Sequence, residues 1–160
     1  MPKKKPYQKQ KFESQFGAAG DTSANIYVSM LMSDAWKALS AKQQVLYLYC
    51  KAQYYAEKPK SLPEEFRNNL AAFTMNRSKW QDLYELYKRN DEKSFYRDIS
   101  ALIEKGFIRC LECGAFSRTK SIYEFSNKWK FYGTANFNIL PAEMTVAMQR
   151  KLRKANSEDF

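Results

Sequence analysis

The sequence predicts a mainly α-helical domain with one small β-hairpin. Apolar residues recur at helical spacing in three segments, each with start or stop signals at its ends. Residues 107–126 instead alternate apolar and polar residues around a connection of small and polar residues, which is typical of a strand–turn–strand unit. With 160 residues, of which 44% are hydrophobic, the chain is long enough for one domain with a buried core.

Two short elements are expected before the first long helix, a strand at 26–29 and a helix at 33–39. Ser40 and Gln43 then form the pattern of a capping box, which begins a helix predicted over 41–57. A proline at position 59 ends this helix. Its predicted buried face consists of apolar residues at helical spacing: Val45, Leu48, Tyr49, Ala52 and Tyr55.

The next segment predicts a short helix, an extended piece and a second long helix. Ser61 and Pro63 suit the start of a helix over 63–71, because serine caps and proline fits the first turn. Residues 73–76 are expected to be extended, and a helix is predicted over 79–88. The apolar face of this second helix would hold Trp80, Leu83, Tyr84 and Tyr87.

The strongest pattern predicts a helix over 91–105 that leads directly into the hairpin at 107–126. Asn90 or Asp91 can cap its start, and Gly106 stands where a left-handed residue commonly ends a helix. One narrow apolar stripe faces the core, formed by Phe95, Ile99, Leu102 and Ile103.

This order of elements predicts a winged helix-turn-helix with added helices. The tripeptide RND would be the tight turn between helices 79–88 and 91–105, and the hairpin would be the wing. In such a fold the second helix enters the DNA major groove, and the wing lies along the backbone or the adjacent minor groove. The predicted DNA-binding domain is therefore 23–133.

The two ends of the chain lie outside this domain. Residues 1–22 are polar and basic and have no apolar period, so we expect a flexible basic arm. Residues 134–160 are expected to form a basic helical extension, with a weak apolar pattern that includes Met144 and Met148. Either end can add phosphate contacts, and a solubilising terminus is the alternative. The cations of the C-terminal extension are Arg150, Lys151, Arg153 and Lys154.

Charge favours a nucleic-acid partner, since the net charge is +10 and the pI about 9.5. An anionic membrane surface is the second option, and a protein that is merely basic is the third. Arg97 is expected to contact guanine, Lys93 or Ser94 to contact phosphate or a base edge, and Arg118 and Lys120 to lie at the wing tip. The full predicted DNA-binding set is Lys93, Ser94, Tyr96, Arg97, Ser100, Arg109, Arg118 and Lys120.

Two acidic residues count against this helix as a DNA ligand. Asp98 on its flank and Glu104 on its outer face would repel phosphate, although a carboxylate can also accept from cytosine. Asp91 and Glu92 are explained by the positive end of the helix dipole. We therefore expect the wing and the tails to contribute to binding as well.

The stretches LSAKQQVLYLYCKAQ, SFYRDISALIEKGFI and KSIYEFSNKW resemble small winged-helix proteins of Gram-positive mobile elements. Two groups are similar, the TraN-like accessory proteins of conjugative plasmids and the N-terminal winged helix of plasmid replication initiators. The likeness covers about residues 25–130. It implies a sequence-specific double-stranded DNA-binding accessory protein that acts at the origin of transfer or in replication initiation. It also implies a relaxase or other transfer or replication proteins as partners, Arg97 as a base reader, and Arg118 and Lys120 as wing contacts.

Two other roles stay open, a winged-helix transcriptional repressor and a protein–protein adaptor that uses the same module. An RNA partner is a weaker option, because no aromatic stacking platform is evident.

Catalysis and metal binding are not expected. The chain has no histidine, which excludes Ser-His and Cys-His nucleophiles, and no phosphate-binding loop motif. Cys110 and Cys113 are spaced as C-x-x-C, but zinc needs four ligands and only Cys50 is left, so we expect no cofactor. The low cysteine count, the lack of an apolar region after MPKKKPYQKQK and the lack of a run of 18 apolar residues predict a cytoplasmic protein without a membrane span.

Overall fold

The computed structural model describes residues 23–54, 58, 60, 62–114 and 120–158. The protein is mainly helical and has one small antiparallel sheet of three strands. The predicted arm 1–22 and Tyr55, Pro59, Ser61 and Arg118 lie outside the described residues. The helices are α1 (Val28–Leu31), α2 (Asp34–Lys37), α3 (Ala41–Lys51), α4 (Glu64–Arg67), α5 (Glu92–Glu104) and α6 (Val146–Glu158), and the strands are β1 (Ala72–Phe73), β2 (Ile108–Glu112) and β3 (Ile122–Phe125). A π-helix spans Ser78–Leu83, and 3₁₀ turns span Lys128–Phe131 and Pro141–Glu143.

The start of α3 is the predicted capping box. The Gln43 amide N–H donates to Ser40 Oγ at 3.3 Å, and the Ser40 N–H donates to Gln43 Oε1 at 3.0 Å. The predicted buried face of this helix was wrong, since Val45 and Leu48 are each 40% exposed. Packing turns the helix so that Leu46, Tyr47 and Cys50 are buried instead. The Tyr47 ring lies 5.9 Å from Trp36 and 5.2 Å from Phe107.

The elements around the first long helix are shorter than predicted. The prediction of a strand at 26–29 was wrong, because residues 28–31 form a helical turn and no described strand pairs with them. The helix expected at 63–71 is confined to α4. The extended piece expected at 73–76 overlaps β1 at Phe73 alone, and residues 74–76 form no strand.

The helix predicted over 79–88 is a π-helix that ends at Leu83. The Tyr84 N–H donates to the Lys79 carbonyl at 2.8 Å, five residues back, and Glu85 has a positive φ of 51°. Leu83 was expected in the core but is 66% exposed. Trp80 and Tyr87 are buried because both pack on Phe95, with ring centroids 5.0 and 5.6 Å away. The connection to α5 is therefore longer than the three-residue turn that the sequence predicted.

Helix α5 buries the stripe that the sequence predicted: Phe95, Ile99, Leu102 and Ile103. Its predicted glycine end is confirmed. The Phe107 N–H donates to the Leu102 carbonyl and the Gly106 N–H to the Ile103 carbonyl, both at 3.0 Å, which is the Schellman pattern. Gly106 has φ +82°, and a Cβ there would lie 2.6 Å from the Trp129 backbone nitrogen.

The sheet has the order β1-β3-β2, and α5 packs against one of its faces. Strand β3 is central, with Phe73 opposite Tyr123 on one side and Cys110 opposite Tyr123 on the other. The second face forms a smaller cluster of Leu62, Ala72 and Ile122. The predicted C-terminal helix is α6, which attaches to the core through buried Met148. None of the described helices is long and apolar enough to cross a membrane.

Candidate nucleic-acid interface

The exposed surface of α5 divides into two rows at i, i+4 spacing. One row contains Lys93 and Arg97, whose side chains are exposed. The other contains Tyr96, Ser100 and Glu104, of which Ser100 is partly buried. The predicted reading helix therefore presents two cations on one side and mostly neutral or acidic groups on the other.

The serines of this helix donate their hydroxyl protons within the helix. Ser94 Oγ lies 2.5 Å from Asp91 Oδ1, and Ser100 Oγ donates to the Tyr96 carbonyl at 2.8 Å. Asp91 is the N-cap residue but caps no backbone N–H with its side chain. In this arrangement both serine oxygens can accept a hydrogen bond from a ligand, while neither proton is free to be donated.

Asp98 fixes the position of Arg97. The Arg97 side chain is 67% exposed, but its Nε donates to Asp98 Oδ1 at 3.2 Å, and Asp98 is 1% exposed. The same carboxylate accepts from Tyr87 Oη at 2.8 Å and from Gln43 Nε2 at 3.2 Å. Three segments, α3, the loop before α5 and α5 itself, are thus joined at one buried anion.

The Arg97 guanidinium stays accessible to a ligand, because the side chain is 67% exposed although its Nε is held. Because Nε is held by Asp98, the two terminal nitrogens can make a bidentate contact, the geometry with which arginine recognises guanine O6 and N7. Holding the side chain in advance also reduces the conformational entropy lost on binding. Burial and the hydrogen bond to Asp98 raise the pKa of Tyr87, so its hydroxyl stays protonated and continues to donate.

The sequence interpretation placed Asp98 on the flank of the helix and missed this role. The available signal was its spacing, three residues after Phe95 and four before Leu102, which puts Asp98 on the apolar side. A carboxylate on the buried stripe of an amphipathic helix requires partners, and Tyr87 and Gln43 supply them.

The cations that the sequence predicted on the hairpin do not all lie on the same surface as α5. Lys120 is exposed and lies in the segment that enters β3, whereas Arg118 is outside the described residues. Arg109 lies on the face of the sheet opposite α5, since its neighbours Ile108 and Cys110 are in the main core. Its Nε and Nη2 donate to Glu124 Oε1 at 2.9 and 2.6 Å. The sequence interpretation included Arg109 in the DNA-binding set with the cations of α5. In the structure Arg109 lies away from the basic surface of α5.

The C-terminal helix α6 lies beside the second row of α5. Ser100 and Glu104 line a shallow groove of about 250 Å³ together with residues of the C-terminal segment. That segment contributes Met144, Ala147, Met148, Lys151 and Leu152. The last turns of α5 are thus flanked by another helix, and its first two turns carry the exposed cations Lys93 and Arg97.

The Lys79 amine is half-buried and lies against Thr74, directly after β1. Lys79 Nζ donates to the carbonyl and the hydroxyl oxygen of Thr74, at 2.8 and 3.0 Å. Burial, together with the charges of Lys120 and Lys58, lowers the pKa of Lys79 to about 8. Lys79, Lys120 and Lys58 therefore lie close enough for their positive charges to repel one another.

The cysteines show no metal-binding arrangement. Cys50 and Cys110 are buried, Cys113 is partly exposed, and no cluster of three metal-ligating groups occurs among the described residues. Burial raises the pKa of Cys110 to about 12, so this thiol is protonated at neutral pH.

Comparison of the chain with protein-family models, with curated proteins and with solved structures finds no match.

Proposed function

We propose that this chain is a double-stranded DNA-binding protein with a winged helix-turn-helix, in which α5 is the recognition helix. The order α3, α4, β1, π-helix, α5, β2, β3 supports this assignment, since a helix pair followed by a hairpin is the winged arrangement. The π-helix takes the position of the first helix of the pair. The hairpin then forms the wing.

The observation that carries the proposal is the Arg97–Asp98 pair on the exposed side of α5. A buried carboxylate that joins three segments is costly unless fully hydrogen-bonded, and here it holds an arginine whose side chain is 67% exposed. Lys93, one turn earlier on the same row, is placed for a phosphate or base edge. Base recognition is thus assigned to the first two turns of α5.

The role in the cell follows from the sequence resemblance. We propose an accessory protein of a mobile genetic element, acting at an origin of transfer or in replication initiation, with a non-catalytic part in that process. A relaxase or a replication protein is the expected neighbour on the DNA. A transcriptional repressor would use the same face of α5, and it is distinguished by a binding site that overlaps a promoter.

The test is binding to fragments of the protein's own genetic element, by gel shift at physiological salt. We expect one fragment to be preferred over bulk DNA, and we expect Arg97→Ala to reduce that preference. Arg97→Ala combined with Arg118→Ala should abolish binding altogether. The matched control is Arg109→Gln, which removes an arginine from the opposite face of the sheet. Equal affinity for all fragments, or unchanged binding by the double variant, would refute the proposal.

A further inference from the structure

The C-x-x-C pair of the sequence, Cys110 and Cys113, lies where β2 ends and the hairpin connection begins. On a regular strand, side chains three residues apart point to opposite faces of the sheet, because successive side chains alternate. Here the chain takes two steps along β2, from Cys110 to Glu112, for one step along β3, which is a β-bulge. The extra residue changes the alternation beyond it, so the pair can share one face.

The packing of the residues around the bulge agrees with this change of face. Cys110 is buried in the main core, and Cys113 packs against that same core. Leu111, between them, packs against the smaller cluster on the other face of the sheet. Tyr123 is the β3 partner of Cys110. Burial raises the pKa of Tyr123 well above its ordinary value, and the charges of Cys110 and Cys113 add to that rise, so both thiols lie near this ring.

The two thiols differ in their access to solvent. Cys113 is partly exposed and lines an open cleft of about 630 Å³ between α5, the base of the hairpin and the start of α6. Cys110 is 3% exposed. Burial is the largest cause of its raised pKa of about 12, and the charge of Cys113 and a hydrogen bond with Cys113 add to it. A dissolved oxidant can therefore reach Cys113 first, while Cys110 is shielded from solvent and lies next to Cys113.

We propose that Cys110 and Cys113 are a reversible redox pair, in which hydrogen peroxide oxidises Cys113 and Cys110 then closes a disulfide. The proposal is independent of the DNA-binding function proposed above. Disulfides of proteins in reducing compartments are usually transient and redox-sensing, and a sensor cysteine is typically accessible and beside a second thiol. This arrangement assigns the C-x-x-C motif a role that needs no metal.

The reaction takes two steps. In the first, the Cys113 thiolate attacks one oxygen of the peroxide, so that an S–O bond forms, the O–O bond breaks and the released hydroxide takes up a proton as water. Cys113 is then a sulfenic acid. In the second, the Cys110 sulfur attacks the Cys113 sulfur, so that the S–S bond forms, the S–O bond breaks and the leaving hydroxide combines with the proton of Cys110 as water. In total, two thiols are oxidised to a disulfide and one peroxide is reduced to two waters.

The experiment treats the reduced full-length protein with hydrogen peroxide and maps its cysteines by mass spectrometry of tryptic peptides without a reductant. The tryptic peptide 110–118 contains both cysteines of the pair. In wild type it should become lighter by two hydrogen atoms, and dithiothreitol should reverse the change. The matched control is Cys50→Ala, which removes a buried thiol on α3, leaves the pair intact and should behave as wild type.

Two variants separate the roles of the two thiols, and circular dichroism shows whether they remain folded. In Cys110→Ala the closing thiol is gone, so Cys113 should stop at the sulfenic acid, which dimedone traps. In Cys113→Ala only buried thiols are left, and peroxide should consume them at least about tenfold more slowly than it consumes Cys113 in Cys110→Ala. A wild-type peptide that keeps its mass, gains oxygen without a bridge or links only to a second chain would overturn the pair. Equal rates in the two variants would overturn the assignment of Cys113 as the oxidised thiol.

Discussion

The hydrogen bond between Tyr87 and Asp98 is expected to be one of the strongest single interactions in the domain. Both groups are buried, and the bond is 2.8 Å long with an ionised acceptor. A hydrogen bond to a charged group contributes about 1.5–3 kcal/mol, and a buried donor left without a partner costs about 1–3 kcal/mol. Asp98→Ala leaves the Tyr87 hydroxyl unpaired, so we expect a loss of about 2–4 kcal/mol in the free energy of unfolding.

A double-mutant cycle separates this bond from the rest of the network. Tyr87→Phe alone should cost about 1–3 kcal/mol, because the partner carboxylate keeps its contacts with Gln43 and Arg97. With both changes together the unpaired hydroxyl is gone, so the double variant should be more stable than the sum of the single losses predicts, by about 1.5–3 kcal/mol. Urea unfolding followed by tryptophan fluorescence measures all four proteins, since Trp80 stacks on Phe95 next to Tyr87. A coupling energy below about 0.5 kcal/mol would refute the reasoning, because that is the usual error of additivity between independent sites.

Three further changes test other parts of the structure. Gly106→Ala should lower the free energy of unfolding, measured in urea, by about 2–5 kcal/mol. The left-handed backbone contributes about 1–2 kcal/mol of this loss and the clash of the new Cβ with the Trp129 backbone about 1–3 kcal/mol. A loss below about 1 kcal/mol would contradict the left-handed cap at Gly106. Burial lowers the pKa of Lys79 in the folded protein to about 8, from an ordinary value of 10.5. Between these two pH values Lys79 is more protonated in the unfolded chain than in the folded one, so the folded state becomes more stable as pH rises. The free energy of unfolding of wild type, relative to that of Lys79→Met, should therefore rise by about 1 kcal/mol between pH 7.5 and 9, a figure already reduced for solvent around a half-buried amine. A difference between the two proteins that does not change with pH would contradict the lowered pKa of Lys79. Arg109→Gln should leave DNA affinity within about twofold of wild type, since Arg109 pairs with Glu124 away from α5. A tenfold loss of affinity, measured by fluorescence anisotropy with labelled DNA, would show that Arg109 belongs to the DNA interface.

Helix α5 was predictable because several local signals agree. A strong apolar stripe, a glycine in the left-handed position and polar residues before the helix all indicate the same boundaries. Helix α3 had an equally clear start, yet its buried face was not predictable. The run VLYLYC offers apolar residues on more than one side, and only the rings of Trp36 and Phe107 decide that Tyr47 points inward.

The π-helix shows a different limit of sequence patterns. Trp80, Leu83, Tyr84 and Tyr87 have helical spacing, but the burial of Trp80 and Tyr87 comes from packing against Phe95 on another element. Residues that are brought to one core by tertiary packing can imitate the period of a continuous helix.

The candidate site was predictable only in part for the same reason. The exposure of Lys93 and Arg97 follows from the helical period of α5 alone. The roles of Asp98 and Arg109 depend on which residues other segments place beside them, namely Tyr87 and Gln43 in one case and Glu124 in the other.

The central position of β3 has a consequence for the way the domain opens. Ala72 and Phe73 pair with Glu124 and Tyr123, so the sheet joins a strand that precedes the helix pair to one that follows it. The hairpin consequently cannot detach from the domain without breaking a contact between distant parts of the chain. We expect the amides of Ile122–Phe125 to exchange with solvent deuterium only through global unfolding, together with those of α5. The hairpin and α5 would then form one cooperative unit. A pairing between such distant parts of the chain forms only after the intervening chain has closed during folding.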